Sequence, residues 1–477
     1  LADEPVEMFL EIQKTDKDTD KKVEIAGAKF KVWDCQENEW VSQIIYPSGE
    51  YIEEFVTDEN GHLTLPHKIK AGEYIVYETE APEGYYLEDA WRIPEKESDL
   101  GNVDKGGKHI IINKAAMNVE ENTPANKVDL YYEVEMPNTP LKGKLEIFKT
   151  GEVLTDASIN STEFGDKYTP IYTLKGLEGV TYDIRAAEDI KSPDGNVTYV
   201  AKGTKVDTIT TGEDGFATTK ELYLGEYEII EVSAPEGYII DEDIENVTLE
   251  NEDTLKRVET TNKELTDVRQ KLSLSFPKEY VEVNFANGAD VERYSIFGVY
   301  ANQDIKNVEG NVVIRKDDLV DLIKIEGEET EAMSTIDLPQ GKYYVQELET
   351  SYPYSLSQEI VEVELTYQGN EHEYVSERAD GFTNTYDSAT LALIKISTSS
   401  LKNLVLIGDK MDTSKLDEEV AQILNDIKGM TEAEVVDYLE ANDIRFIAGA
   451  KYKIYTDKEC QKPLYIKSGE EFVEAEL

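Results

Sequence analysis

The chain has 477 residues, room for three or four domains of ordinary size. Its 100 acidic and 48 basic residues leave a net charge of −52, a balance that repels nucleic acid and anionic membrane surfaces. A hydrophobic share of 40% supplies real cores, and two distant cysteines, Cys35 and Cys460, exclude a disulfide framework.

In chain order, each unit opens on a short alternating strand that ends in lysine. Leu10, Ile12 and Lys14 share one face, as do Leu145, Ile147 and Lys149, then Leu272, Leu274, Phe276 and Lys278. Leu391, Leu393 and Lys395 repeat the phase a fourth time. An aromatic-rich strand follows: GAKFKVWD from Gly27, GVTYDIRA from Gly179, YSIFGVYA from Tyr294 and GAKYKIYT from Gly449. Turn sequences such as Asp58-Glu59-Asn60-Gly61 and Glu213-Asp214-Gly215 suit hairpins.

Next comes a strand with a glutamate at one fixed place: GEYIVYETEAPEGYYL from Gly72, GEYEIIEVSAPEGYII from Gly225 and GKYYVQELETSYPYSL from Gly341. Alternation puts Glu78, Glu231 and Glu347 on the core face with Tyr74 and Val76, Tyr227 and Ile229, and Tyr343 and Val345. A carboxylate there is costly unless it is neutral or paired. Each complete unit closes on a strand ending in asparagine: Asn138, Asn262 and Asn384. The expected units are therefore 1–140, 141–264, 265–386 and an incomplete fourth, 387–477. The chain begins at Leu1 and reads as a piece of something longer, with no signal peptide, basic targeting segment or bilayer-length apolar run.

Short strands and frequent turns predict an all-β fold of tandem sandwiches. The exception is 414–442, where Leu416, Val420, Ile423, Leu424 and Ile427 follow a helical period and Thr431 with Glu434 makes a capping box. These residues predict an α-helical hairpin inserted in the last unit.

The lysine strand, G-A-x-F, E-x-x-A-P-x-G-Y and the closing asparagine strand together resemble tandem collagen-adhesin B-type repeats, the SpaA-type pilin domains of Gram-positive bacteria. Glu78 to Tyr85 and Glu231 to Tyr238 carry the E-x-x-A-P-x-G-Y form outright, and the third unit lacks its Ala-Pro-x-Gly-Tyr. The resemblance implies transthyretin-like, inverse immunoglobulin sandwiches. It also implies an amide bond inside each domain, formed without another enzyme or cofactor by the triads Lys14–Glu78–Asn138, Lys149–Glu231–Asn262 and Lys278–Glu347–Asn384. Such a protein would be the stalk or shaft of a cell-wall adhesin or pilin, extracellular, a monomeric rod as a fragment, with sortase-linked neighbours or a host surface ligand as partners.

The residue types suit that chemistry. Burial keeps a lysine amine neutral and nucleophilic, and keeps a glutamate protonated so that it can polarise the amide and pass a proton to the leaving nitrogen. Contact between amine and amide makes the reaction internal. The competing reading is a buried Lys–Glu ion pair with a hydrogen-bonding asparagine. Asn113 competes with Asn138 in the first unit; Asn138 is chosen because it directly precedes the next lysine strand, which makes 87–126 an insertion and Asn113 a surface residue. Phe276-Pro277-Lys278 resembles the Tyr-Pro-Lys that a sortase joins in pilin backbones, a role that needs an exposed lysine, whereas strand phase favours a buried one. His62, His67, His109 and His372 show no metal-ligand spacing, and no catalytic serine set or phosphate loop is present. A ligand-gripping adhesin module, through the 87–126 insertion or the helical hairpin, is the alternative function; a conventional enzyme is the third.

Overall fold

A computed structural model describes residues 7–113, 130–282 and 293–386, and parts of 405–474. It is almost entirely β. Among the described residues the three largest cores run from Met8 to Met136, from Leu145 to Leu249 and from Leu272 to Phe382. Each lies between two sheets whose inward faces supply the alternating apolar residues of the sequence.

One sheet of each unit carries the lysine strand. Glu7–Asp16 pairs in parallel with Tyr131–Asn138, Lys142–Thr162 with Val258–Asp267, and Lys271–Tyr280 with Tyr374–Arg378 and Phe382–Asn384. The first and last strands of each unit are thus neighbours. The facing sheet places the glutamate strand between the aromatic strand and an outer strand. Gly72–Glu80 lies between Lys29–Asp34 and Lys108–Ile112, Gly225–Ser233 between Thr181–Ala186 and Glu245–Leu249, and Gly341–Thr350 between Tyr294–Ala301 and Ile360–Leu365.

Lys108–Ile112 corrects the expectation that 87–126 is wholly an insertion. It fills the same sheet position as Glu245–Leu249 and Ile360–Leu365, so its end at Asn113 is the edge of a regular strand. A second feature is an arm. The 21-residue strand Lys142–Thr162 runs beyond its own sheet and returns as Gly165–Gly176. The arm reaches the third unit, where Lys167 pairs with Leu319, Asn307 Nδ2 donates to the Thr155 carbonyl (2.9 Å) and the Val308 N–H to the Leu154 carbonyl (3.3 Å).

Of the predicted helical hairpin, the helix Glu432–Ala441 forms. Its Val435 and Leu439 are buried with Ile423 and Ile427 against them, and the Ile427 N–H bonds the Ile423 carbonyl at 3.0 Å, one turn of the preceding helix. Most of that first helix, the fourth lysine strand with Lys395, the GAKYKIYT strand and Cys460 lie outside the described residues.

Candidate functional site

Register explains how each unit brings its site together. Lys14 lies opposite Met136, Lys149 opposite Leu265 and Lys278 opposite Phe382. Two residues further along the partner strand, on the same face, stand Asn138, Asp267 and Asn384. Side chains so related are diagonal neighbours, within reach of a lysine.

In the first unit Lys14, Glu78 and Asn138 are all fully buried. Lys14 Nζ lies 2.8 Å from Glu78 Oε1. Asn138 Nδ2 donates to Glu78 Oε2 (2.8 Å) and to the Tyr86 carbonyl (2.8 Å), which fixes the nitrogen of the amide toward the glutamate. Burial pushes the Lys14 ammonium below its ordinary value, against the pull of Glu78, and raises the Glu78 carboxyl, against the pull of Lys14. Asn113 is exposed, whereas the three residues of the cluster are buried.

The third unit repeats the arrangement. Lys278, Glu347 and Asn384 are buried; Lys278 Nζ is 2.9 Å from Glu347 Oε1 and in close contact with Asn384 Oδ1. Asn384 Nδ2 donates to Glu347 Oε1 (2.9 Å), Glu347 Oε2 (3.0 Å) and Thr350 Oγ1 (2.8 Å). Burial lowers the Lys278 ammonium, against Glu347. Lys278 is 0% exposed, the opposite of what a polymerising lysine needs.

The second unit differs from expectation. Lys149 Nζ is 2.9 Å from Glu231 Oε2 and 2.5 Å from Asp267 Oδ1. Asn262 is exposed and lies opposite Glu146. It stands three places before Leu265, an odd offset that turns its side chain to the other face of the strand. Asp267 therefore takes the place expected of Asn262. Its carboxyl is pushed up to about 6 by burial first, with Lys149 lowering it and Glu231 adding to the rise. A sequence signal for it existed: Asn138, Asp267 and Asn384 each stand eleven residues ahead of the lysine of the following unit, Lys149, Lys278 and Lys395.

A fourth member completes every site. Phe30 lies opposite Glu78, Tyr182 opposite Glu231 and Phe297 opposite Glu347, each just after a bulge in the pairing. Each ring is buried and covers the lysine, with Nζ 5.5 Å, 5.7 Å and 5.3 Å from the ring centre. These are the aromatic residues of the second strand in each repeat. The aromatic-rich strand was evident in the sequence, and the place of these rings over the amine was not. Among the described residues no group of His, Cys, Asp or Glu is arranged to hold a metal ion, and no helix is long and apolar enough to cross a membrane.

Residues 9–106 and 170–264 match the family description "SpaA: Prealbumin-like fold domain". Two separate segments of the chain are thus similar to that prealbumin-like domain. Residues 265–386 lie outside the SpaA match and repeat the sheet order and the buried cluster of the first two units. Among solved structures the chain is similar to the Bacillus anthracis TIE protein, at 20% identity over 80% of this chain with a TM-score of 0.42. It spans 51% of the length of that protein. BcpA, the major pilin subunit of Bacillus cereus, is similar at 14% identity over 80% of this chain and 100% of its own, with a TM-score of 0.24. The shaft pilin SpaA from Lactobacillus rhamnosus GG is similar at 13% identity over 52% of this chain and 100% of its own, with a TM-score of 0.19. No curated protein sequence matches the chain.

Proposed function

We propose that the chain is a stalk of tandem pilin-like domains on a Gram-positive cell surface, with an internal amide bond in each complete unit. The observation that carries this is the same buried cluster of amine, glutamate and amide or acid formed three times, in one register, between the first and last strands. An ion pair alone is a poor reason to bury these groups, because apolar residues of similar volume stabilise at least as well.

In the first and third units the neutral lysine amine attacks the asparagine side-chain carbonyl carbon, the C–N bond of the amide breaks, and ammonia leaves. Glu78 and Glu347 contact the amide nitrogen, which suits delivery of a proton to the departing group. In the second unit Lys149 attacks the protonated carboxyl of Asp267 and water leaves, with Glu231 moving the proton. Dry surroundings favour the neutral forms that both reactions need. The proposed units run from the start to 140, from 141 to about 267 and on to 386; the second boundary moves past 264 because Asp267 closes that unit.

The bonds would route force past the folded sandwiches. Tension entering at Lys14 crosses to Asn138, runs eleven residues to Lys149, crosses to Asp267, runs eleven to Lys278 and crosses to Asn384. Between cross-links only those short connectors can lengthen. The cell-wall placement, sortase-linked neighbours and shaft role belong to the same proposal. Single-molecule pulling from the two ends tests it. The three cross-linked units give no unfolding steps, and a variant with Glu78, Glu231 and Glu347 all changed to Ala gives three. Three unfolding steps in the unaltered protein would overturn the stalk mechanism.

A further inference from the structure

The Ala-Pro-x-Gly-Tyr segment just after the glutamate strand has no part in the proposed bond chemistry. Its position in the molecule points to another task. At the end of the first unit the Tyr86 N–H donates to the Thr139 carbonyl (2.9 Å), and the Leu141 N–H to the Gly84 carbonyl (2.9 Å). At the end of the second the Ile239 N–H donates to the Val268 carbonyl (3.0 Å), and the Gln270 N–H to the Gly237 carbonyl (2.8 Å). The connector to the next unit is therefore held on this turn by the same two bonds. A third repeated bond goes to the body of the next unit: the Leu87 N–H to the Thr254 carbonyl (2.8 Å), and the Ile240 N–H to the Asn370 carbonyl (3.2 Å). Thr254 and Asn370 each stand five residues beyond an outer strand, Glu245–Leu249 or Ile360–Leu365.

The two glycines sit where that contact is tightest. Gly84 has φ +79° and Gly237 φ +89°, a region that side-chain-bearing residues rarely adopt. A Cβ on Gly84 would lie 2.5 Å from Pro193 Cγ, and one on Gly237 2.8 Å from a ring carbon of Tyr367. Both obstructing residues belong to the following unit. The adjacent tyrosines also enter the junctions. Tyr85 Oη donates to Asp16 Oδ2 (3.1 Å), which also accepts from Tyr199 of the second unit. The Tyr238 carbonyl accepts from Asn370 Nδ2 (2.7 Å).

We propose that the Gly-Tyr turn is the docking surface for the next unit of the same chain, that Gly84 and Gly237 are its positioning residues, and that it sets one fixed angle between consecutive units. The third copy keeps the first connector bond, Ser355 N–H to the Thr385 carbonyl (2.8 Å), but has Pro353 at the glycine position.

Spin labels on Glu213→Cys in the second unit and Lys316→Cys in the third, with Cys35 and Cys460 changed to Ser, report the angle as a distance distribution. The unaltered junction gives one narrow distribution. Gly237→Ala widens it about twofold, since relative motion is the default once a domain contact is lost. Tyr367→Ala removes the obstructing ring and leaves the turn untouched. It also widens the distribution, and Gly237→Ala adds little further widening in that background. A narrow distribution in both single variants overturns the proposal, as does equal widening by Gly237→Ala with and without the ring. Should Gly237→Ala unfold the second unit, Tyr367→Ala alone decides: an unaltered width rejects the docking role.

Discussion

Lys149 Nζ and Asp267 Oδ1 lie 2.5 Å apart in a site where both side chains are almost wholly shut off from water. A strongly solvated ion pair is impossible there. The pair must stay as a desolvated salt bridge, exchange its proton, or condense. Condensation removes both charges and leaves a neutral amide, less costly to bury than the ion pair.

The identity of the third residue is open to direct test. Asp267→Ala abolishes the second bond, so the mass changes by the substitution plus one retained water. Asn262→Ala changes the mass by the substitution alone. Tryptic mapping checks both. A Lys149 peptide joined to the Asn262 side chain would contradict the assignment of Asp267.

Removing a proton shuttle costs stability and retains a leaving group. Glu78→Ala restores one ammonia to the first unit and lowers its melting temperature. A cross-link that closes a loop of this length stabilises by about 4–5 kcal/mol on the chain-entropy account. Calorimetry of Glu78→Ala beside Glu78→Gln separates loss of the shuttle from loss of packing. An unchanged melting temperature in both variants would remove the first cross-link from the account.

The unlinked second unit has a distinctive pH dependence. Asp267 is held at about 6 in the fold against an ordinary value of 3.8, so between those values the folded state binds more protons than the unfolded one. Stability is then fully present below the ordinary value and falls as pH rises through the raised one. Lys149→Met blocks the bond and removes the cation that lowers Asp267, which carries the upper edge of the window beyond about 6. Denaturant titrations of Lys149→Met lose stability as pH rises from the ordinary value through about 6 and beyond. The unaltered protein, its Asp267 converted to amide, shows no such fall. A fall of the same size in both proteins would indicate an unreacted acid.

The rings over the lysines keep water out. Phe30→Ala opens the first site, admits water to Lys14 and returns its ammonium toward the ordinary value, so bond formation slows. The cavity adds a loss of about 3–5 kcal/mol. Phe30→Leu retains most of the cover and forms the bond. Time-resolved mass measurement on freshly refolded protein checks the order: unaltered, Leu, then Ala. Equal rates in all three would leave the ring a packing role only.

Much of the fold was legible because each strand repeats a phase. The lysine and glutamate faces could be read from alternate residues, and burial follows directly from those faces at Lys14, Lys149, Lys278, Glu78, Glu231 and Glu347. Asp267 was missed because residue type outweighed spacing: an asparagine near the end of the strand drew the assignment, although its phase relative to Lys149 is odd. Lys108–Ile112 was hidden in a stretch that carries neither the lysine nor the glutamate marker. The arm within Lys142–Gly176 was hidden because its outer half is only partly buried, against residues of the third unit, and shows no regular hydrophobic alternation. The docking role of Gly84 and Gly237 depends on residues of the following unit, Pro193 and Tyr367, that no local pattern brings together.

The intact mass of the purified chain tests the central claim most directly. The account predicts a mass lower than that of the bare sequence by two ammonia molecules and one water, with cross-linked peptides joining Lys14 to Asn138, Lys149 to Asp267 and Lys278 to Asn384. A mass equal to that of the bare sequence, with those six residues recovered in linear peptides, would contradict it.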